Sequence, residues 1–416
     1  MFKFTDKEVF KWYYLEWRRQ EEGLELIPSE NYASLEVMAA SGGIFTNKYS
    51  EGYPFKRYYG GNEYIDQVES IAINRLKQLF GSEHANVQPH SGSSANMAAY
   101  FALANIGDKI MGLNLQHGGH LTHGSAVNFS GKLYKIVPYS VDKESHLLNY
   151  DEIATIADKE KPKIIVCGYT AYPRVIDFKR FAKIAKECGA YLLVDMAHIA
   201  GLIAGKVYPD PVPYADVITS TTHKTLRGPR GAIILSKQDY AASIDKAVFP
   251  GLQGGPLENQ IMAKAICFRE ALQPSFKEYA AQIIKNAKVL AKTLMDLGFD
   301  LITNGTDSHL ILIDLRSKNI TGKQAQEILD SVGITTNKNT IPFDTQSPFI
   351  TSGLRIGTPA ITTRGMKEKE MELVAHLIND TLNSRSDPDK LKEIKQKVKD
   401  LTKDFPIYPN LLEQEV

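Results

Sequence analysis

Short apolar segments alternate with segments of helical periodicity through the middle of the chain. The clearest unit starts at Asp177, where apolar residues recur at the spacing of one helical face: Phe178, Phe181, Ile184, Ala185 and Cys188. Gly189 predicts the end of that helix, and residues 191–194 predict a buried strand. Further short strands are predicted at 163–166, 217–220 and 232–235. This repetition is typical of a mostly parallel sheet covered by helices on both faces.

The pattern differs on either side of this region. Residues 7–20 predict an aromatic-rich helix, and a long helical region runs from Pro256 to about Leu297. Strands are predicted after it at 309–315 and 354–357, with helices at 321–331 and 365–382, and the charge-rich tail after Asn383 predicts a loose, solvated helix. The predicted fold class is α/β. It comprises an N-terminal arm (1–55), a large domain with a mixed, mostly parallel sheet between helices (56–280) and a smaller α+β C-terminal domain (281–416).

Composition narrows the class of protein. The 416 residues carry 49 Lys and Arg against 48 Asp and Glu, so no general electrostatic attraction to nucleic acid or an anionic membrane is expected. The three cysteines are far apart and form no CxxC pair, which fits a reducing cytoplasm. No apolar stretch approaches the length of a membrane span, and the first residues lack a secretory apolar region. We expect a cytoplasmic protein that binds neither nucleic acid nor membrane.

Lys224 is the first candidate for chemistry. It follows the predicted strand 217–220, and ligands gather at the carboxyl ends of strands in α/β sheets. A lysine forms a Schiff base only when it is neutral, which partial desolvation and the neighbouring His223, Arg227 and Arg230 would favour. By itself, this segment would also suit a solvated lysine in a basic surface loop.

Asp195 ends the strand 191–194, so its carboxylate is expected in the same crevice as Lys224. Such an acid could stabilise the protonated nitrogen of a pyridine cofactor. It could equally cap the next turn, or bind a ribose or a metal. His198 lies three positions on, but the sequence shows no convincing third ligand, so no metal is predicted.

A phosphate site is predicted at Ser91, Gly92 and Ser93, which precede an alanine-rich helical segment. Small residues and hydroxyls at a helix N-terminus bind anions, although a serine N-cap would look the same. The glycine-rich turn 251–256 alone indicates only a loop. Three histidines fall within residues 117–124 without standard metal spacing, so one could instead stack on an aromatic ring. Arg355, on a predicted strand, suits either a substrate carboxylate or a structural ion pair.

Together these segments resemble one family, serine hydroxymethyltransferase, from about Glu21 to Tyr408. The shared stretches are Leu26–Asn31, Asn47–Pro54, Arg57–Gly61, Gln88–Ser93, His117–Gly124, Val194–His198, Thr221–Arg230 and Ser352–Pro359. The resemblance implies a fold-type-I enzyme dependent on pyridoxal 5'-phosphate (PLP). It would convert L-serine and tetrahydrofolate reversibly to glycine and 5,10-methylenetetrahydrofolate, as a homodimer with composite active sites.

The resemblance also implies roles for cofactor-binding residues. Lys224 would hold PLP as an internal aldimine, Asp195 would pair with the pyridine nitrogen, and His120 would stack on the ring. The remaining contacts in the same subunit would come from Ser91, Gly92, Ser93, Thr170, His198, Thr221 and His223. Tyr49 and Gly255 would reach the phosphate from the neighbouring subunit. The Cα–Cβ bond of serine would then break because the protonated ring accepts the electron pair.

Substrate contacts are implied in the same way. Ser29 and Arg355 would hold the substrate carboxylate, and Glu51 and Tyr59 of the neighbour would lie near the serine hydroxyl and the folate. Glu51 is the candidate general acid–base, because partial burial raises a carboxyl pKa toward neutrality. Apolar contacts to the pterin would come from Leu115 and Leu121.

Two residues depart from the family pattern. Pro28 replaces a common alanine, and Phe343 stands where some members carry an asparagine close to the pterin. One alternative is a threonine-aldolase-like PLP lyase without folate dependence, against which the segments resembling a folate site argue. A second is a non-catalytic α/β binding protein that has lost its cofactor. The presence of Lys224, Asp195, His120 and Arg355 argues against that loss.

Overall fold

The computed structural model describes residues 5–409 and 411. The chain divides into two compact units. The first runs from Ala33 to Ala281, and the second combines the residues up to Tyr32 with those from Gln282 onward. None of the helices in the described residues is long and apolar enough to cross a membrane.

The helices are α1 (Lys7–Glu22), α2 (Leu35–Ser41), α3 (Glu63–Phe80), α4 (Gly92–Leu103), α5 (Phe129–Leu133), α6 (Tyr150–Glu160), α7 (Phe178–Cys188), α8 (Ala200–Ala204), α9 (Ala241–Lys246), α10 (Glu258–Ala271), α11 (Pro274–Asp296), α12 (Gly322–Ser331), α13 (Pro359–Thr363), α14 (Glu368–Asn383) and α15 (Pro388–Lys403). The strands are β1 (Leu24–Glu25), β2 (Gly52–Tyr53), β3 (Lys56–Arg57), β4 (His84–Asn86), β5 (Lys109–Leu113), β6 (Lys135–Tyr139), β7 (Ile164–Gly168), β8 (Tyr191–Asp195), β9 (Val217–Thr221), β10 (Ala232–Ser236), β11 (Asp300–Leu301), β12 (Leu310–Asp314), β13 (Ile334–Thr335), β14 (Asn337–Asn339) and β15 (Gly353–Gly357).

The first unit is built on one large sheet. Among its described residues, seven strands lie in the order β4-β10-β9-β8-β7-β5-β6. Neighbours from β9 to β6 pair in parallel, whereas β10 is antiparallel to both β9 and β4. The predicted mixed, mostly parallel sheet is therefore confirmed. The strands predicted at 163–166, 191–194, 217–220 and 232–235 are β7, β8, β9 and β10.

Local sequence explains how α7 connects β7 to β8. The carboxylate of Asp177 accepts a hydrogen bond from the Arg180 backbone N–H, which satisfies a donor at the helix N-terminus. Gly189 ends the helix in the left-handed conformation, with φ of 79°. The buried face contains Phe178 and Phe181, as the helical spacing predicts.

The second unit has its own core and a smaller sheet. In the described residues, four antiparallel strands lie in the order β11-β12-β15-β14, and β1 pairs in parallel with β13. These strands and α12, capped by Thr321, agree with the predicted α+β character. The tail prediction is wrong in one respect. Helix α15 is not loose, because Ile394 and Val398, one turn apart, are fully buried in the core of this unit.

Candidate active site

A cavity of about 190 Å³ opens at the carboxyl ends of β7, β8 and β9. Parallel strands place their carboxyl ends at one edge of a sheet, where α/β proteins bind ligands. The predicted cofactor residues of the first unit meet here, apart from Tyr49 and Gly255. The cavity is lined by Ser91, Gly92, Ser93, His120, Tyr169, Thr170, Asp195, Ala197, His198, Thr221, His223, Lys224 and Arg230.

Lys224 lies in the connection between β9 and β10. Its Nζ donates a hydrogen bond to the Oγ1 of Thr221, at 3.2 Å. The same connection is closed at its base, because Thr222 donates from its backbone N–H to Gly231 and from Oγ1 to the Pro229 carbonyl. The lysine is thus carried on a short loop that two neighbouring strands fix at both ends.

Asp195 ends β8 with its side chain only 11% exposed. Its Oδ2 accepts hydrogen bonds from Asn96 Nδ2 at 2.8 Å and His123 Nε2 at 3.1 Å, and Oδ1 accepts one from the Ala197 backbone N–H. Burial alone would raise the pKa of this carboxyl. Hydrogen bonds from His123 and Asn96 outweigh burial and hold the pKa well below its usual value. Asp195 is therefore an ionised carboxylate in a nearly dry setting.

His123 is a site residue to which no sequence motif assigned a role. Its Nδ1 accepts a hydrogen bond from the His120 backbone N–H at 3.3 Å, so its ring proton lies on Nε2 and is donated to Asp195. A ring nitrogen of His120, a ring nitrogen of His123 and a carboxylate oxygen of Asp195 all lie within 4.8 Å of one another. In the sequence, His198 was the histidine considered together with Asp195. In the structure, His120 and His123 are grouped with this carboxylate instead. The three histidines of 117–124 were the only sequence signal for this contact.

The predicted phosphate site, at the N-terminus of α4, lines the same cavity. Ser91 caps the helix, since its Oγ accepts from the Ser94 backbone N–H. A side chain at Gly92 would bring a Cβ within 2.8 Å of the Thr221 methyl group, which explains a glycine at this position. Backbone N–H groups at a helix N-terminus, with nearby serines, make an anion site.

His223 supplies a test of whether an anionic cofactor fits. Its Nδ1 is buried without a hydrogen-bond partner among the described residues. Burial, followed by the positive charges of Lys224 and Arg230, lowers the pKa of His223 to about 3. A buried ring nitrogen without a partner among the described residues, the Arg230 cation and a helix N-terminus all suit a phosphate, and the residues present therefore fit PLP.

His198 and Thr170 also line the cavity. The carbonyl of His198 accepts a hydrogen bond from Thr225 Oγ1 at 2.9 Å, and this same hydroxyl accepts from the Gly201 N–H. These bonds join the loop after β8 to the loop that carries Lys224.

Tyr49, Glu51, Tyr59 and Gly255 form a separate group, which we call the tyrosine cluster. The Tyr49 hydroxyl and a Glu51 oxygen are 3.2 Å apart, and the Tyr49 and Tyr59 rings meet edge to face with centroids 5.1 Å apart. The Tyr49 ring also packs against Gly255. None of the four is among the described residues that line the Lys224 cavity of the same chain.

Leu115 and Leu121 are each partly exposed, at 42% and 46%. Leu115 lines a neighbouring cavity of about 340 Å³ together with His120 and His123. Leu121 is next to His120 in sequence but lies outside the described lining of both cavities.

Ser29 and Arg355 belong to the second unit. Arg355 lies on β15 and is 7% exposed, and its Nε donates to Asn337 Oδ1 on the paired strand β14, at 3.0 Å. Burial lowers the pKa of Arg355 to about 10, so it is still a cation at neutral pH. Ser29 follows Pro28, which packs against Gly357 where the Gly357 N–H bonds to the Leu26 carbonyl.

The chain was compared with models of known protein families. The model of serine hydroxymethyltransferase matches residues 2–378, which includes α1 and ends before Tyr408, where the resemblance noted from the sequence ends. This match agrees with the fold-type-I architecture of the large sheet and with a cavity that fits PLP. The chain belongs to the serine hydroxymethyltransferase family, PLP-dependent enzymes that interconvert serine and glycine.

Proposed function

We propose that Lys224 is the cofactor lysine and that Asp195 pairs with the pyridine nitrogen during this interconversion. The observation that carries this assignment is the shared cavity, in which a lysine and an ionised aspartate at the ends of adjacent strands face a helix N-terminus. When bound, PLP would supply an electron sink for the bond broken at the substrate Cα.

The protein's own residues would prepare that chemistry. Ionised Asp195 favours a proton on the ring nitrogen, because an opposite charge at short range stabilises the cation. Ser91, Gly92, Ser93 and His223 are assigned to the phosphate. Thr170, His198 and Thr221 are assigned to the remaining edges of the cofactor, and His120 to its face. These assignments rest on the lining of the cavity and on the family resemblance.

Tetrahydrofolate is proposed as the acceptor of the one-carbon unit. The family match and the motif 47–54 support this proposal. Glu51 is proposed to move the proton of the serine hydroxyl, with Tyr59 beside it, and Leu115 and Leu121 to contact the pterin. Ser29 and Arg355 are assigned to the substrate carboxylate, for which a cationic arginine fork is suited.

A homodimer with composite sites is proposed as the working form. The tyrosine cluster lies outside the Lys224 cavity of its own chain, which suits residues that act in a neighbouring copy. A cytoplasmic location is also proposed, supported by three free cysteines in the described residues.

The decisive assay compares conversion of serine to glycine with and without tetrahydrofolate. We expect conversion to depend strongly on the folate. Equal rates in both reactions would reject the transferase assignment in favour of a folate-independent lyase.

The lysine is tested separately by borohydride reduction of the PLP-loaded protein, proteolysis and mass mapping. We expect the pyridoxyl group on the peptide that contains Lys224, and none in a Lys224→Ala variant. A pyridoxyl group on another lysine, such as the buried Lys264, would overturn the assignment.

A further inference from the structure

Asn96 lies on α4, 1% exposed, and each polar atom of its side chain amide is hydrogen-bonded. Its Oδ1 accepts from Thr219 Oγ1 at 2.5 Å. Its Nδ2 donates to Asp195 Oδ2 at 2.8 Å and to Thr122 Oγ1 at 2.7 Å. Because the ionised Asp195 only accepts hydrogen bonds, the nitrogen of the amide must face it. The orientation of Asn96 is therefore fixed by its partners.

Thr122 extends this chain of bonds to His120. The hydroxyl of Thr122 is fully buried and accepts from Asn96, so its own hydrogen is available to His120 Nδ1, 2.7 Å away. The backbone N–H of Thr122 also points at Nδ1, at 3.2 Å. A ring nitrogen that accepts a backbone N–H carries no proton. The ring proton of His120 must then lie on Nε2.

We propose that Asn96 is a positioning residue that orients Asp195 directly and, through Thr122, holds His120 in the neutral Nε2–H tautomer. This inference rests on the proposed roles of Asp195 and His120 toward PLP. One buried amide would thus govern both the partner of the ring nitrogen and the group on the ring face. It would also keep a second positive charge away from a protonated pyridine.

The first test is Asn96→Asp, which keeps the shape of the side chain but replaces the two donated hydrogens with a second acid beside Asp195. The chain offers a matched control in Asn86. It is also buried, its Nδ2 donates to Asp245 at 2.8 Å and to the Tyr53 hydroxyl, and none of these residues lines the described cavity around Lys224. Asn86→Asp therefore imposes the same chemical change elsewhere in the unit.

Both variants are expected to melt at lower temperature than the wild type. Only Asn96→Asp should weaken PLP binding, because it disturbs the hydrogen bond to the charged Asp195. Titration of the full chain with PLP should show an affinity about 10- to 100-fold lower than that of the wild type. Equal PLP affinity in the two variants would overturn the proposal. A wild-type chain that fails to bind PLP would instead reject the proposed function, so the two failures are distinguishable.

The second test removes the relay at Thr122 and does not depend on a tolerated Asn96 variant. Thr122→Val deletes the hydroxyl at nearly constant volume, whereas Thr122→Ser keeps it. The pH dependence of the absorbance of bound PLP should shift in the valine variant and remain at the wild-type position in the serine variant. A shift of the same size in both would reject the relay.

The tautomer is tested without cofactor. In the full chain labelled with [15N]histidine, the His120 signals, assigned by their loss in His120→Asn, should show a protonated Nε2 and a non-protonated Nδ1. A proton on Nδ1 would refute the inference whatever the enzyme's activity.

Discussion

Asp195→Asn changes the charge of the proposed ring-nitrogen partner while keeping its shape. In the wild type, three donors converge on the carboxylate: Asn96 and His123 on Oδ2, and the Ala197 N–H on Oδ1. An amide offers one oxygen and one NH2 group in place of two accepting oxygens. At least one of these three donors must therefore face another donor.

These contacts indicate which orientation of the new amide costs less free energy. With its oxygen toward Asn96 and His123, the new amide leaves its NH2 group facing the Ala197 N–H. His123 cannot adapt by moving its proton, because its Nδ1 already accepts from the His120 N–H. Buried donors without an acceptor cost about 1–3 kcal/mol, which is the expected loss in free energy of unfolding.

The effect on catalysis comes from the lost charge. Replacing a charged by a neutral partner for the ring nitrogen should remove about 1.5–3 kcal/mol of transition-state stabilisation, and kcat/KM should fall about 10- to 150-fold. Turnover of serine with tetrahydrofolate measures kcat/KM, and thermal melting measures the loss of stability. Unchanged kcat/KM in a folded variant would refute the assigned role of Asp195.

Asp245→Asn is a suitable control for this experiment. Asp245 also accepts from an asparagine and faces a histidine, Asn86 at 2.8 Å and His84 at 2.9 Å. It is outside the lining described for the Lys224 cavity. A comparable fall in kcat/KM for this variant would mean that the effect of Asp195→Asn is one of stability alone.

Three further predictions concern other residues. The pKa of His223 is about 3 in the folded chain and near 6.5 in the unfolded chain. Between pH 6.5 and pH 3 the unfolded chain therefore binds a proton on His223 that the folded chain does not, and the folded state loses stability as the pH falls below 6.5. Cofactor-free wild type should lose about 2 kcal/mol more than His223→Gln between pH 7 and pH 5 in urea unfolding; equal losses would contradict the assigned burial. Arg57→Met should cost about 3–5 kcal/mol, because it leaves Asp66 and Glu69, which Arg57 contacts at 2.9 and 2.5 Å, buried without their cation. A neutral effect in urea unfolding would contradict the stabilising role assigned to these ion pairs. Ser91→Ala should lower the free energy of unfolding by about 1 kcal/mol through the lost cap of α4, and it should also weaken PLP binding. Thermal melting measures the first effect and titration with PLP the second. A loss of stability without a loss of PLP affinity would show that Ser91 caps the helix but does not bind the phosphate.

Much of the large unit could be predicted from periodicity. Strands β7, β8 and β10 are short, mostly apolar segments, as is typical of strands buried on both faces, and β9 begins with Val217 and Ile218. Once their ends were placed, the side of the sheet that carries Asp195 and Lys224 followed from the parallel topology. The cavity combines those strand ends, so its main residues were within reach of the sequence.

The hydrogen-bond partners of Asp195 inside the site could not be predicted from the sequence. Asn96 lies in a helix and His123 in a histidine-rich turn, and they are 99 and 72 residues from the carboxylate that both contact. No local pattern records such a contact, because it depends on how α4 and the turn pack against the end of β8. The burial of α15 was missed for a similar reason, since abundant lysines hid the two apolar residues that face the core.

The separation of the tyrosine cluster from the Lys224 cavity has a genetic consequence. If each active site takes one part from each copy, a Lys224→Ala chain and a Glu51→Gln chain are both inactive alone. A mixed dimer of the two carries both defects in one site and none in the other. Coexpression should therefore restore about a quarter of the sites, if the chains mix at random in a twofold dimer. Two recessive lesions in this one gene would complement each other, and the pattern of complementing pairs would map which residues act across the interface.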